Sequence, residues 1–355
     1  MSSQKGTILV TGANGGLGCA IVSRLVSAPD LKAYHGIFTV RNRDSAPALD
    51  AALDSSNATS SHGKVSLDLS RLGNVREVAA AINAKVQAGT IPPISAIILN
   101  AGYEEYNTQK WNEDGLDMTF VVNYLGHWLL TMLLLQSMDR ETGRVVWISS
   151  WSQKQVTPDD PHHNLNESYK EEKYKTMITT DDLEPVAKGT WSSTAEDPSL
   201  WMSAYRRYGA SKMCGVSMIH ELQRRLDKDP LLHRISVLAV DPGAMNTGIG
   251  RHSPWVVRFL LFGFVAGWVG RLLVLLYPNG TWRTPGKSAR DVLAAALDCG
   301  PPPLTERPKG IYLNGSELGE YNNEAKDPRK GRIIWEGSVR HAQLQRSETL
   351  LQDWE

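Results

Sequence analysis

The chain reads as an α/β protein: a doubly wound parallel sheet with helices on both faces. Three observations predict this. Apolar runs alternate with helix-like stretches from Thr7 to Ser149. Those runs are continuous rather than alternating apolar and polar, as strands buried on both faces require. A glycine-rich turn, Gly12 to Gly18, stands between the first apolar run and the first helical stretch.

Taken in order, Thr7 to Thr11 is the first strand and Gly16 to Ala28 the first helix. Gly36 to Val40 and Lys64 to Leu69 are the next strands, and Leu72 to Ala88 the next helix. Ile94 to Asn100 is the fourth strand, followed by a helical stretch from about Trp111 to Met138. Arg144 to Ser149 is the fifth strand. The pattern then breaks: residues 151–204 are polar, charged and rich in Trp, Pro and Asp. Helix resumes near Tyr205 and runs to about Asp227, Ile235 to Val240 is a sixth strand, Ser288 to Leu297 is helical, and Gly310 to Leu313 is a short last strand. The tail from about Ser316 is polar and ends in a helix-like run. With no internal repeat, the reading is one domain over 1–355 with insertions: a core of about 5–315, an insertion at 151–204, an apolar segment at 253–278 and an extension at 316–355.

Composition narrows the function. Hydrophobic residues make up 41% and charged residues 21% of 355, enough apolar content for a sizeable core. Formal net charge is zero, which argues against nucleic acid as a partner. Cys19, Cys214 and Cys299 are few and far apart, which suits a reduced intracellular compartment. No metal site is expected; the His162-His163 doublet has no partner at ligand spacing. Met1 to Gly6 is short and polar, with no secretory apolar region.

Thr11-Gly12-Ala13-Asn14-Gly15-Gly16-Leu17-Gly18 carries the first chemical signal. Glycines let the backbone turn sharply and approach a pyrophosphate, and the helix N-terminus offers free N–H groups and a positive dipole end. Placed after the first strand of an α/β pattern, this is a dinucleotide site. At the end of the second strand the run is Val40-Arg41-Asn42-Arg43, with no acid before Asp44. An acid there would suit ribose hydroxyls, whereas a guanidinium suits a 2′-phosphate. NADP(H) is therefore expected, with Arg41 the contact.

A tyrosine and a lysine four apart on a helix share one face, and an ammonium beside a phenol favours the phenolate. Three pairs have this spacing, Tyr106/Lys110, Tyr169/Lys173 and Tyr208/Lys212, where chance predicts roughly half a match. Tyr169 sits among Glu167, Glu171 and Glu172, which reads as a solvated surface. Tyr208 opens an apolar-periodic helix that leads into a strand and Pro242-Gly243.

These signals together resemble the short-chain dehydrogenase/reductase family, of fungal type. Thr-Gly-x-x-x-Gly-x-Gly is its glycine turn; Asp68-Leu69, Asn100-Ala101-Gly102, Asn123, Ile148-Ser149-Ser150, Tyr208 with Ser211-Lys212, and Pro242-Gly243 with Thr247 follow in the family's order. The resemblance implies a Rossmann-type fold and hydride transfer between nicotinamide and a carbonyl or alcohol carbon. It implies that Tyr208 donates the proton, Ser150 steadies the developing charge, Lys212 lowers the tyrosine pKa and holds the nicotinamide ribose, and Asn123 fixes a water that relays protons. It further implies cofactor contacts at Gly12, Asn14, Gly16, Leu17, Gly18, Arg41, Asp68, Leu69, Asn100, Tyr208, Lys212, Pro242, Gly243, Met245 and Thr247. Ser149 competes with Ser150, but successive strand residues face opposite ways, and the family pattern favours the second.

Two departures stand out. Ser150 and Tyr208 are separated by 57 residues, far more than the family's usual dozen or so, and the excess starts beside the site. It reads either as a lid or substrate wall, or as an excursion packed by its own tryptophans. Second, Trp255 to Tyr277 contains an unbroken run of twelve uncharged residues, Phe259 to Gly270, too short to cross a bilayer. It reads as an apolar lid over a lipophilic substrate, as peripheral attachment to an internal membrane, or as ordinary packing. The expected function is an NADPH-dependent reductase of a hydrophobic ketone or aldehyde in polyketide or terpenoid biosynthesis. The alternatives are a 3-ketosteroid reductase of sterol synthesis and a non-catalytic NADPH-binding sensor or scaffold.

Overall fold

The computed structural model describes residues 4–54, 61–106, 108–154, 166–197, 200–245, 274 and 276–355. Its strands are β1 (Gly6–Val10), β2 (Tyr34–Val40), β3 (His62–Ser66), β4 (Ile94–Leu99), β5 (Arg144–Ile148), β6 (Ser236–Asp241), β7 (Tyr312–Asn314) and β8 (Glu317–Leu318). They form one sheet in the order β3-β2-β1-β4-β5-β6-β7-β8, parallel except for the β7–β8 pair. Strands β1, β4, β5 and β6 are buried throughout, which explains why they read as continuous apolar runs.

Helices cover both faces, as the alternation predicts. On one side α1 (Gly16–Ser27) packs beside α8 (Pro285–Leu297), with Ile21, Val22, Val292 and Ala295 against Ile8, Ala96 and Val146. On the other, α3 (Leu72–Gln87), α5 (Gly126–Leu134) and α7 (Leu200–Leu226) bury Val75, Leu129 and Ile219 against Leu9, Ile97 and Val145. The chain leaves β1 towards β2 on one side and returns to β4 on the other. A crevice therefore opens at the carboxyl ends of β1 and β4, where such sheets take ligands.

The helix expected from Trp111 starts later. Trp111 bridges Asp117 in a turn, and Asp117 Oδ1 accepts from the Thr119 and Phe120 N–H groups at 3.0 and 3.2 Å. That cap starts α4 (Met118–Phe120), which passes through a π turn, Val121–Leu125, into α5. Met118–Ser137 is long and apolar enough to cross a membrane, but 94% of its most apolar stretch is buried inside the protein, as in a core helix. Helix α2 (Pro47–Asp54) was not legible. Its first N–H groups, from Ala48 and Leu49, are capped by the distant Asn14 side chain at 3.1 and 3.0 Å.

The stretch after β5 is held closely to the body of the protein. Short turns and α6 (Glu184–Ala187) run through it. Arg206 donates to the Ser168 carbonyl at 2.8 Å and covers the Tyr174 ring at 3.7 Å, while Trp191 Nε1 donates to the Thr176 carbonyl at 2.9 Å. Met177 and Ile178 N–H groups donate to the Glu324 carboxylate at 2.7 and 3.0 Å. The tail that began as an unassigned polar run thus closes the insertion. Its α9 (Pro328–Ala342) lies along α7, with Trp335 edge-on to Trp128 and under Arg225. The apolar segment 253–278 lies almost wholly outside the described residues.

Candidate active site

A cavity of about 690 Å3 occupies the crevice. Its floor is the β1–α1 turn. Gly12 has φ +66°, and a Cβ there would stand 2.7 Å from the Ala101 Cα. A Cβ on Gly18 would overlap the Gly12 carbonyl. Asn100 fixes the turn from β4 by donating from Nδ2 to the Thr11 carbonyl at 2.8 Å, and Thr11 Oγ1 accepts from the Asn100 and Ala101 N–H groups at 2.9 Å each. The bare backbone and the α1 N-terminus that face the cavity are the donor set a pyrophosphate needs, so these residues fit a dinucleotide.

Of the residues expected at the cofactor, Gly12, Asn14, Gly16, Leu17, Gly18, Arg41, Asp68, Leu69, Asn100, Tyr208, Lys212, Pro242, Gly243 and Met245 all line this cavity. Thr247 lies outside the described residues. Arg41 is exposed at the rim beside Asn42 and Ser45, whereas Arg43 lies 3.7 Å from Asp44 and does not line the cavity. Asp68 is turned partly inward: its Oδ1 accepts from the Ser70 N–H at 3.0 Å and from its hydroxyl at 2.6 Å. Gly243, with φ +72°, lets the chain turn after β6, and its N–H donates to Asp241 Oδ1 at 2.8 Å.

Ser150, Tyr208 and Lys212 meet at the inner end. Lys212 is 3% exposed, donates from Nζ to the Ile148 carbonyl at 2.9 Å and lies 5.5 Å from the centre of the Tyr208 ring. The Ser150 hydroxyl is within hydrogen-bonding reach of the Tyr208 phenol, and Ser150 Oγ accepts from the Ser152 hydroxyl at 3.0 Å. Ser149 also lines the cavity, and its side chain lies towards Tyr312. Asn123 does not line the cavity. Its Nδ2 donates to the Tyr103 carbonyl at 2.9 Å and to Ser211 Oγ at 3.1 Å, and its Oδ1 accepts from the Tyr103 N–H at 2.7 Å. Ser211 in turn donates to the Tyr208 carbonyl at 2.7 Å. The serine that marked this Tyr–Lys pair in the sequence therefore ties α7 to the π turn and to the loop after β4.

The electrostatics correct one expectation. Burial pushes the Tyr208 phenol well above its usual value, Glu104 and Asp241 push the same way, and the Ser150 hydrogen bond opposes them. Burial also lowers Lys212 to about 8, against the pull of Asp241 and Glu104. Desolvation therefore dominates at Tyr208 and favours the protonated phenol over the phenolate.

The other Tyr–Lys pairs are not equivalents. Tyr106 and Lys110 lie in loop, not on a helix. Tyr169 is not solvated as its acidic neighbours suggested. It is 1% exposed and donates from its hydroxyl to the Ser152 carbonyl at 3.0 Å, while Lys173 reaches outward to Glu171. From the insertion, among the described residues, Trp151 and Ser152 line the cavity; the remainder packs against α7 and the tail. The sequence reading missed Glu104 and Tyr205, which also line it. Position just past the carboxyl end of β4, and one turn before Tyr208, were the available signals. Among the described residues no group of three His, Cys, Asp or Glu could hold a metal.

Residues 6–161 match the profile of the short chain dehydrogenase family. The short-chain dehydrogenase iccH of Talaromyces variabilis is 46% identical over 99% of this chain and 100% of its own length. The short chain dehydrogenase/reductase dpchH of Colletotrichum higginsianum is 28% identical over 92% of this chain and 72% of its own. Among solved structures, an NADPH-bound carbonyl reductase from chicken fatty liver superposes with a TM-score of 0.54 at 16% identity, covering 89% of this chain and 98% of that one. Such a likeness speaks for the shared fold.

Proposed function

Since the chain belongs to the short-chain dehydrogenase family and is an oxidoreductase, we propose that it is an NADPH-dependent reductase of a ketone or aldehyde on a hydrophobic small molecule. One observation carries the reading. A single cavity joins the glycine turn and Arg41 at one end to Ser150, Tyr208 and Lys212 at the other. Arg41 supports NADPH, because an exposed guanidinium at the end of β2 can pair with a 2′-phosphate.

NADPH bound there would supply the hydride. Tyr208 holds the proton that the developing alkoxide takes up, and its raised pKa keeps that proton in place until then. Ser150 directs its hydroxyl to the same oxygen and steadies the charge that forms. Lys212, fixed by the Ile148 carbonyl, sets the positive end of the site. Asn123 acts at one remove, holding the loop after β4 and, through Ser211, the first turn below Tyr208. Trp151, Tyr205, Val122 and Met245 line the cavity with apolar surface, which suits polyketide or terpenoid ketones before smaller polar ones.

The test is Tyr208→Phe, assayed for NADPH consumption over polyketide, terpenoid and sterol ketones. We expect NADPH binding within a few-fold of wild type and turnover lowered by about 10³ or more. Unchanged turnover would remove Tyr208 from the chemistry. Selective reduction of sterol ketones would favour a role in sterol synthesis. NADPH binding without turnover of any ketone by wild type would favour a sensor.

A further inference from the structure

Two adjacent glutamates follow β4, and the fold treats them oppositely. Glu105 is 3% exposed and fully engaged. It accepts from the Tyr103 hydroxyl at 3.1 Å, from the Lys110 N–H at 3.3 Å and from Arg207 at 3.3 Å. Glu104 is half-buried on the cavity wall and, among the described residues, its carboxyl makes no hydrogen bond or ion pair. Its loop is not free to turn it away: Asn123 holds the Tyr103 backbone on both sides, and Arg207 clamps Glu105.

We propose that Glu104 is a specificity-determining residue: its carboxyl accepts a hydrogen bond from a hydroxyl or N–H group that the substrate carries within reach of its carbonyl. The inference rests on the reductase reading above. A carboxyl partly withdrawn from water and lacking a donor costs stability, and a ligand that brings a donor recovers part of that cost. Ring surfaces of Trp151 and Tyr205, with centroids 6.3 Å apart, line the same cavity and provide for the apolar body of such a molecule. The substrate class is therefore a hydroxylated or N–H-bearing apolar ketone rather than a bare hydrocarbon ketone. A site that spends a buried acceptor on a donor discriminates strongly against analogues lacking it.

The charge state of Glu104 is set from several sides. Burial raises its pKa to about 7, and Lys212 on α7 pulls it down. Tyr208 and Tyr205 on α7 and Tyr106 on its own loop feel the Glu104 charge. Asp241 at the end of β6 acts on Tyr208, Tyr205 and Lys212 alongside it. The carboxylate that forms as pH rises is the stronger acceptor.

The test uses the full chain saturated with NADP+. Dissociation constants are read by tryptophan fluorescence for 1-tetralone and its 5-, 6- and 7-hydroxy isomers. Wild type is expected to bind at least one hydroxy isomer about tenfold tighter than the parent, more so at about pH 7.5 than at about pH 5.5. Glu104→Gln should keep a weaker preference that does not change with pH, and Glu104→Leu should bind all four ketones alike. Thermal melting identifies any variant that has not folded. A preference that survives in Glu104→Leu, or a wild type indifferent to the hydroxyl, overturns the inference while leaving the reductase reading in place. A wild type that does not bind NADP+ or NADPH overturns both.

Discussion

A Cβ placed on Gly209 would overlap the hydroxyl of Tyr169. The residue after Tyr208 is thus bare because the insertion reaches in at that point. Tyr169 uses the space to donate to the Ser152 carbonyl at 3.0 Å, and the Ser152 hydroxyl donates to Ser150 at 3.0 Å. Gly209→Ala should therefore destabilise the protein by about 1–3 kcal/mol, although alanine favours helix over glycine. Urea unfolding checks the sign; a stabilised variant would show that Tyr169 does not occupy that space.

Arg207 is 4% exposed and stands 3.3 Å from Glu105 and 3.1 Å from Asp117. Removing it leaves two carboxylates buried without their cation. Arg207→Ala should cost about 3–5 kcal/mol. The loss should grow with pH, because burial already raises both acids and the folded variant binds protons that the unfolded chain releases. Denaturation midpoints at mildly acidic and mildly alkaline pH measure this directly. Equal losses at both would place the cost in packing alone.

Arg41→Ala is expected to weaken NADPH by about tenfold to a hundredfold and NADH by much less. Isothermal titration of both nucleotides separates the two. A matching loss for each would mean that Arg41 does not meet the 2′-phosphate.

Glu104 also leaves a mark on stability. Its pKa rises from 4.5 to about 7 on folding, so between those values the native state holds a proton that the unfolded chain has given up. Its contribution to stability therefore falls as pH rises through that window and levels off above about 7. The loss is at most on the order of 2 kcal/mol, since the carboxyl opens onto a cavity that solvent screens. In Glu104→Gln that part of the slope should vanish. Urea titrations of both proteins across the window would show it, and parallel pH profiles would argue that Glu104 is not desolvated.

Much of the scaffold could be read from local pattern. Strand and helix alternation, the glycine turn and the Tyr208–Lys212 spacing rest on residues a few positions apart, and they fall in the strands, helices and cavity wall that the pattern implied. What was illegible depends on distant partners. Helix α2 is capped by Asn14, 34 residues before Ala48. The Trp111 boundary failed because Asp117 and the Asn112 turn override apolar periodicity. Tyr169 looked solvated because its neighbours in sequence are acids, while its neighbours in space are Ser152, Gly209 and Tyr205. Glu104 and Glu105 are equivalent as letters; Arg207, 102 residues on from Glu105, makes them different.

The Glu324 carboxylate that secures the Met177 and Ile178 backbone sets a timetable for biosynthesis. Glu324 is translated 147 residues after Met177 and 146 after Ile178. While the chain is still on the ribosome, those two amides have no such acceptor. The wall beside the catalytic helix must stay provisional through the synthesis of β6, α8 and β7. Premature release before residue 324 would yield a protein with its glycine turn, tyrosine and lysine all in hand, and no latch to hold the wall beside them. Arrest at successive lengths, followed by limited proteolysis within 166–197, would reveal the moment at which that latch engages.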